Sequence, residues 1–310
     1  MSFQLPKRTH LVHKAIEPRK LSASTAAKVA ARLDDVWEVK YDGVHAVLIK
    51  TNGKAYSFFR TGEQITGAMD RQLRAMEALA QDNYVLFAEG WNENYEFSDI
   101  NGHSRTHLAP ADERFLKAII FDMVPFDAFL AGKYEVPYMT RRKDVADLLF
   151  ALRTFAFGNL FDITYSAATK AICLSHVSFR QDNHGEIFKI DGFMRKAREG
   201  HWVAGAGSEG FNLKDKDIVS VDLKVEELYE GEGKFTGMLG AFGCTYNSKP
   251  QRVGGGKLTD KQRKAIWENQ TQADGGIGSI IEVHALGEST HGLLREPRYA
   301  RTRFDKTEGE

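Results

Sequence analysis

Two short turns, each set between apolar runs, constrain the fold of this 310-residue chain more than any other feature. Asp42-Gly43 interrupts the segment WEVKYDGVHAVLIK (37–50), and Asn52-Gly53 precedes the next apolar run, KAYSFF (54–59). Asp-Gly and Asn-Gly between apolar runs are strong signals for two-residue hairpin turns. The sequence therefore predicts three successive strands joined by two hairpins, and so an antiparallel sheet near the N-terminus.

Helical and strand-like segments alternate through the rest of the first two-thirds. Residues 24–34, 68–81 and 141–155 have the composition and apolar spacing of helices. The apolar runs 84–91 and 117–126 predict buried strands. This mixture indicates an α+β fold and not a doubly wound parallel sheet.

The sequence pattern changes beyond about Val225. Short strand-like segments are separated there by glycines, and one helical stretch, 259–270, lies among them. Such a pattern is typical of a small β-barrel of the OB type. We therefore expect two domains, residues 1–228 and residues 229–310.

Composition excludes some classes of protein and leaves nucleic-acid binding open. Two cysteines, Cys173 and Cys244, are too few for a disulfide framework and fit a reducing cytoplasm. The apolar runs are too short to span a membrane. Formal net charge is zero, so bulk charge does not favour DNA binding, although the tail LREPRYARTRFDK (294–306) is basic.

Lys40 is the residue with the most specific chemical setting. It ends a predicted strand directly before Asp42-Gly43, which would expose its amine. A lysine nucleophile must be neutral, and its ordinary pKa of about 10.4 leaves about 0.1% neutral near pH 7.4. Burial and nearby cations are expected to lower that pKa. The alternative is an ordinary exposed lysine before a turn.

Lys40-x-Asp42-Gly43 resembles the adenylated-lysine motif of the covalent nucleotidyltransferase superfamily, which contains polynucleotide ligases and RNA-capping enzymes. In that resemblance Glu38 receives the adenine amino group, and Arg60 in Arg-Thr-Gly contacts the sugar and the nick phosphate. Glu89, in LFAEG, binds the ribose hydroxyl and serves the metal, while Phe121 stacks on adenine.

The later segments that resemble the family follow in its order. Glu209, in EGFNLK, would be a second metal ligand, and Lys214 of the same segment would contact the nucleotide. Lys224 lies where the family places a phosphate-binding lysine. Arg303 and Lys306, in Arg-Phe-Asp-Lys, resemble the last motif, which the OB domain carries.

Two positions depart from the family pattern. His45 stands where the family usually has an arginine, and an imidazole carries full charge only at low pH. Asp222 stands where the first of two lysines is usual, and a carboxylate cannot grip a phosphate directly. Either Lys214 or Lys216 takes over that role, or the segments are aligned in another register.

The resemblance covers nearly the whole chain and is closest to the short ligases of T7-type bacteriophages. It implies an α+β nucleotidyltransferase domain, with ATP-grasp-like antiparallel sheets and helices, followed by an all-β OB domain. It also implies an ATP-dependent DNA ligase that seals 3′-hydroxyl/5′-phosphate nicks through a lysyl-AMP and an adenylated 5′ end.

The expected cofactors are ATP and Mg²⁺, for which Mn²⁺ can substitute, and the expected partner is nicked duplex DNA. The protein should be a monomer in the cytoplasm, or in the host cytoplasm if a phage encodes it. An RNA ligase or a GTP-using capping enzyme is the first alternative. A non-catalytic OB-fold protein that binds nucleic acid is the second.

Overall fold

In the computed structural model the chain divides into two units, Met1–Asp215 and Lys216–Glu310. The structure describes residues 5–6, 11–106, 114–153, 160–184, 190–207, 209–216, 218–271, 275–289 and 291–309. The helices of the first unit are α1 (Ala23–Ala31), α2 (Asp70–Ala78), α3 (Phe97–His103), α4 (Phe126–Ala131), α5 (Tyr138–Leu152) and α6 (Lys170–His184), with a 3-10 turn at Pro18–Lys20. Its strands are β1 (His13–Lys14), β2 (Val36–Tyr41), β3 (Val44–Thr51), β4 (Lys54–Phe59), β5 (Tyr84–Trp91), β6 (Lys117–Pro125), β7 (Lys133–Tyr134), β8 (Phe161–Ile163), β9 (Ser166–Ala167), β10 (Ile190–Lys196), β11 (Trp202–Val203), β12 (Gly205–Ala206) and β13 (Asn212–Asp215).

The first unit is built on two main sheets. The larger sheet has the order β4-β3-β5-β6-β8, in which only β6 and β8 run parallel, and the smaller has the order β13-β10-β2-β9. Short pairs, β1-β12 and β11-β7, complete the described sheet structure. The α+β fold predicted from the sequence is confirmed.

The two turns predicted near the N-terminus, Asn52-Gly53 and Asp42-Gly43, differ in the strands that they join. At Asn52-Gly53 the chain makes the predicted hairpin between β3 and β4, and both residues take the left-handed conformation that such a turn requires. At Asp42-Gly43 the predicted hairpin is wrong, because β2 pairs in the smaller sheet and β3 in the larger. The chain therefore passes from one sheet to the other directly after Lys40.

Apolar packing covers both faces of the larger sheet. Residues that alternate along β3 divide between the two cores: Ala46 and Leu48 pack with helices α2, α3, α5 and α6, while Val47 and Ile49 pack against Phe129 and Trp202. His45 and Glu89 are directly opposed on β3 and β5. By strand alternation both side chains lie on the face of Val47 and Phe87.

The second unit is a closed barrel. Its strands are β14 (Val219–Glu230), β15 (Leu239–Tyr246), β16 (Lys249–Gly254), β17 (Ile280–Ala285) and β18 (Arg298–Thr302), in the order β14-β15-β16-β18-β17. Thr259 caps the N-terminus of helix α7 (Asp260–Asn269), and its hydroxyl accepts from the backbone N–H of Gln262. A 3-10 turn covers Gly233–Phe235. The predicted C-terminal β-barrel is confirmed.

The boundary between the units lies earlier in the chain than residue 228. Strand β14 is continuous from Val219 to Glu230 and pairs with both β15 and β17 of the barrel. The predicted boundary falls inside this strand, because its N-terminal half has no glycine break that would mark it as part of the barrel. Lys224 therefore belongs to the second unit.

Each unit buries one free cysteine. Cys173 packs in the first unit and its thiol donates to the Trp37 carbonyl at 3.3 Å, while Cys244 lies in the barrel core. Burial raises the pKa of the Cys173 thiol to about 11 and that of Cys244 to about 12. In the part of the chain that the structure describes, no helix has the length and apolar character to cross a membrane.

Gly43 is the residue that the passage between the sheets requires. A Cβ atom there would lie 2.4 Å from the Gly90 carbonyl oxygen of β5 and 3.0 Å from Cγ of Glu89. We expect Gly43→Ala to lower the free energy of unfolding by about 1–3 kcal/mol or more, because backbone must shift to admit the methyl group. Urea denaturation followed by circular dichroism measures the change.

Gly102→Ala is the matched control for that experiment. Gly102 lies in α3, and apart from the backbone of its own helix and the adjoining residues no atom would come within 4 Å of an added Cβ. Alanine should be neutral there or stabilise the helix by up to about 1 kcal/mol. Equal effects of the two substitutions would show that the approach of Gly43 to β5 is not a tight one.

Candidate active site

Lys40 lies at the end of β2, immediately before the chain leaves the smaller sheet. Its side chain is 24% exposed, and its Nζ donates to Oδ2 of Asp191 at 2.5 Å. Asp191 is on β10, the neighbour of β2 in the sheet. The amine is thus held inside the first unit and is not an ordinary surface lysine.

Acidic side chains dominate the charges around Lys40. Burial lowers the pKa of Lys40, but Glu89, Asp191 and Asp42 act in the opposite direction and hold the pKa above its usual value. The protein's own side chains therefore do not lower the pKa of this amine, and that effect stays a prediction for the metal-bound site. The amine therefore stays protonated as long as these carboxylates keep their negative charge.

Glu89 is the second acid of this group. It is on β5, and it accepts a hydrogen bond from the Gly43 amide at 3.2 Å. Burial raises the pKa of Glu89 to about 7, with Lys40 and the Gly43 amide opposing the rise and Asp191 and Asp42 adding to it. The site thus contains an acid that titrates near neutral pH.

An aromatic cleft opens beside these groups. The ring of Phe121 meets the His45 ring edge-on, with centroids 5.1 Å apart, and the Lys196 ammonium lies 4.9 Å from the centre of the Phe121 ring. These residues, with Tyr138 and His13 among others, line a cleft whose free volume is about 20 Å³, which is room for about one water molecule. A planar base could stack on Phe121 only if side chains of this cleft move aside.

His45 does not carry the charge of the arginine that it replaces. Burial, followed by the positive charges of Arg60, Lys40 and Lys196, lowers the pKa of His45 to about 3. Its Nε2 atom is buried and has no hydrogen-bond partner among the described residues. The imidazole is therefore neutral in the range where such an enzyme would work.

Glu38 is fully engaged by neighbouring side chains. It is 0% exposed, and its Oε1 accepts from the Tyr138 hydroxyl and from Nη1 of Arg142 at 2.7 Å. The Lys196 ammonium lies 2.8 Å from Oε2, as a charge contact without hydrogen-bond geometry. A contact between Glu38 and an adenine amino group would require one of these partners to move.

The remaining residues predicted for the first unit are placed at different sites. Arg60 is exposed after β4, close enough for its charge to act on His45. Lys214 of β13 lies opposite Met194, which lies opposite Glu38, so it shares the face of the smaller sheet that carries the cleft. Glu209 is exposed, and its charge acts on Lys133.

The residues predicted in the second unit form a separate group. Lys224 is exposed on β14, two residues after the buried Asp222. Arg303 and Lys306 both contact the carboxylate of Asp222, at 2.8 Å and 2.5 Å. Asp222, which looked like a defect in the family pattern, is thus the partner of the last motif.

Sequence reasoning missed several residues that lie in the cleft or contact Lys40 and Glu38. Asp191 begins Asp-Gly-Phe-Met-Arg-Lys, an acid-glycine pair followed by a strand, which is the same local pattern as Glu209-Gly210-Phe211. That signal was available for Asp191 and Lys196. Tyr138 and Arg142 reach Glu38 from α5, and nothing in the local sequence of that helix marks them.

The acids of the site suit a hard cation, although no three-ligand cluster is preformed. Among the described residues no group of three His, Cys, Asp or Glu side chains is arranged to hold a metal ion. Mg²⁺ usually takes only one or two carboxylates from the protein and the rest of its ligands from substrate phosphates and water. Glu89 and Asp191, both close to Lys40, fit that requirement.

Comparisons with known proteins bear on the fold of the chain. Residues 230–303 match the family model for the DNA ligase OB-like domain. A search of curated proteins gave no match. The structure named "Pmar-Lig_Pre." is similar with a TM-score of 0.70 and 21% identity, covering 96% of this chain and 68% of that one.

Two further solved structures cover both chains almost completely. A Lig E DNA ligase has a TM-score of 0.64 and 16% identity, covering 94% of this chain and 98% of its own. The ATP-dependent DNA ligase from bacteriophage T7, in complex with ATP, has a TM-score of 0.53 and 16% identity, with the same coverage. The chain therefore has the fold of these DNA ligases.

The raised pKa of Glu89 predicts a pH-dependent stability. An acid whose pKa is higher in the folded state destabilises the fold as pH rises from about 4.5 through 7. Glu89→Gln should therefore be more stable than the parent at pH 8.5, by up to about 3 kcal/mol, and equal to it at pH 4. Urea unfolding at the two pH values measures both differences.

Glu63→Gln serves as its control, since Glu63 is an exposed acid in a surface pair with Arg105. Its loss should change stability by less than about 1 kcal/mol at either pH. A Glu89→Gln protein less stable than the parent at pH 8.5 would contradict the assignment of Glu89 as an acid whose pKa is raised by burial.

Proposed function

We propose that this chain, which has the fold of ATP-dependent DNA ligases and carries their OB-like domain, seals nicks in duplex DNA as a monomer through a lysyl-AMP on Lys40. The observation that carries the proposal is the position of the Lys40 amine. It lies at the passage between two sheets, 2.5 Å from Asp191, within the field of Glu89 and near a narrow cleft that contains the aromatic ring of Phe121.

The first chemical step requires the amine to lose a proton. Asp191 Oδ2 already accepts a hydrogen bond from Lys40 Nζ and is the natural acceptor of that proton. The nitrogen then attacks the α-phosphorus of ATP, the bond from that phosphorus to the bridging oxygen breaks, and pyrophosphate leaves. Phe121 stacks on the base, and Lys196, which lies beside it, adds positive charge near the nucleotide.

Mg²⁺, held by Glu89, would supply charge neutralisation at the polyphosphate. Glu89 and Asp191 both raise the pKa of Lys40 in the ligand-free protein. If the metal ion neutralises this negative charge, the Lys40 amine is no longer kept protonated. Binding of ATP with its metal ion would then also activate the nucleophile.

Two further steps complete the proposed reaction. The 5′-phosphate of the nick attacks the phosphorus of lysyl-AMP, and the phosphorus–nitrogen bond breaks, which returns the amine. The 3′-hydroxyl then attacks the activated 5′-phosphate, and AMP departs. Arg60, which is exposed and whose charge acts on His45, would hold a phosphate at the edge of the cleft.

The nucleophile is tested by replacing one lysine and sparing another. Lys40→Arg should abolish covalent labelling by α-³²P-ATP and the sealing of a singly nicked DNA duplex, because a guanidinium cannot lose its proton near neutral pH. Lys54→Arg, at an exposed position of β4, should retain both activities. Label that persists on Lys40→Arg, or a parent protein labelled by GTP and not by ATP, would contradict the proposal.

Asp191 and Glu209 are the two acids of the later segments that could serve lysyl-AMP formation, and replacing them should have unequal effects. Asp191→Asn should slow the formation of lysyl-AMP by about 100-fold or more, since it removes the proton acceptor of the amine. Glu209→Gln should have the smaller effect, because Glu209 is exposed and its charge acts on Lys133. Single-turnover labelling gives both rates, and the reverse ranking would return the role to Glu209.

A further inference from the structure

Asn212 is a polar side chain of the cleft to which the proposed reaction gives no role. It lies on β13, directly opposite Lys196 of β10, so the two side chains share one face of the smaller sheet. Both residues line the cleft that contains the ring of Phe121. Asn212 therefore belongs to the wall of the candidate nucleotide site.

One half of the Asn212 amide is fixed and the other half is unused. Its Nδ2 donates to the backbone carbonyl of His13 at 3.2 Å, and this hydrogen bond sets the orientation of the amide. Its Oδ1 is buried and has no hydrogen-bond partner among the described residues. A buried acceptor without a donor is costly, and in the wall of a ligand site it indicates that the ligand brings the donor.

The backbone of Asn212 is held on both sides. β13 pairs with β10 on one side, and on the other the Asn212 carbonyl accepts from the backbone N–H of Ile16 at 3.0 Å. The cleft has about 20 Å³ of free space, so a base enters only when side chains move aside. Because its backbone is fixed, Asn212 keeps its position in the wall as the cleft widens.

Glu38 is less suited to reading the base than the family resemblance implies. It is 0% exposed and is not among the residues that line this cleft. Its charge is met by Arg142 at 2.7 Å and by Lys196 at 2.8 Å. An amino group of a base would have to displace one of these cations, whereas the Asn212 oxygen needs no such exchange.

We propose that Asn212 recognises the base of the nucleotide, by accepting a hydrogen bond at Oδ1 from the 6-amino group of adenine. This inference rests on the proposed function, in which ATP enters this cleft. Guanine has a carbonyl oxygen at the same position, which would face the Asn212 oxygen without a proton between them. Because the His13 carbonyl holds Nδ2, the amide does not turn to offer its donor. The orientation of one amide thus selects adenine over guanine.

Purine riboside triphosphate, which lacks the 6-amino group, isolates this contact. The full chain is mixed with Mg²⁺ and either this analogue or ATP, and formation of the lysyl nucleotide is timed by intact-protein mass. The parent should prefer ATP in kcat/KM by about ten- to a hundredfold, the contribution of one buried hydrogen bond. Asn212→Leu, which has a similar volume and no acceptor, should use the two nucleotides equally well.

Asn92→Leu is the matched control. Asn92 is also a buried asparagine that holds backbone groups, but both ends of its amide are engaged. Its Nδ2 donates to the Phe115 carbonyl at 3.0 Å, and its Oδ1 accepts from the backbone N–H of Asn94 at 2.9 Å. Its loss should lower stability and keep the preference for ATP. A merely structural role of Asn212 would likewise change the use of both nucleotides alike.

Asn212→Asp covers the case in which Asn212→Leu fails to fold. Both oxygens of a carboxylate are acceptors, so this variant should keep the preference for ATP without the orienting bond to His13. A preference for ATP that survives in Asn212→Leu overturns the inference. So does an Asn212→Asp protein that uses the analogue as well as ATP.

Binding without chemistry separates this inference from the proposed function. Calorimetry in EDTA gives the Kd of ATP and of the analogue under conditions in which no transfer occurs. A parent that binds ATP about tenfold or more tightly than the analogue, yet forms no lysyl-AMP with Mg²⁺, supports the Asn212 contact and overturns the proposed function. Equal Kd values for the two nucleotides overturn the contact, even in a protein that forms lysyl-AMP.

Discussion

The contact between the Gly43 amide and the Glu89 carboxylate is the constraint from which the rest of the site follows. It occurs where the chain leaves one sheet and enters the other, and it brings the end of β2 against β5. The backbone there has no room for a side chain. The close approach of Gly43 to β5 also places Glu89 of the larger sheet beside the Lys40 amine of the smaller one. The site is therefore complete only when the two sheets have come together.

The electrostatics of that assembly set the charge of the Lys40 amine. Three carboxylates keep the Lys40 amine protonated, and burial raises the pKa of Glu89. Around the neighbouring His45 the charges are instead positive, from Arg60, Lys40 and Lys196. A triphosphate with its metal ion carries both signs of charge and would satisfy both groups at once. The unbound site is thus incomplete in charge and suited to a ligand of that kind.

Local sequence predicted the elements well and their partners less well. Asn52-Gly53 and Asp42-Gly43 are equally good hairpin signals, yet only the first joins paired strands. Asp191-Gly192-Phe193 and Glu209-Gly210-Phe211 are equally good acid-glycine signals, yet only the first lies beside Lys40. In both cases the choice is made by strand pairing across more than 100 residues of sequence, which a local pattern does not contain. The fold class, the barrel and Lys40 have strong local signals, while Tyr138 and Arg142 have none.

The two buried cysteines give each unit an internal reporter of its own opening. Cys173 and Cys244 are enclosed in separate cores, and their raised thiol pKa values leave almost no thiolate while the units stay closed. A thiol reagent would therefore react with each sulfur only when its own unit opens. Rates of modification at the two sites, resolved by mass, would give separate opening free energies for the first unit and for the barrel.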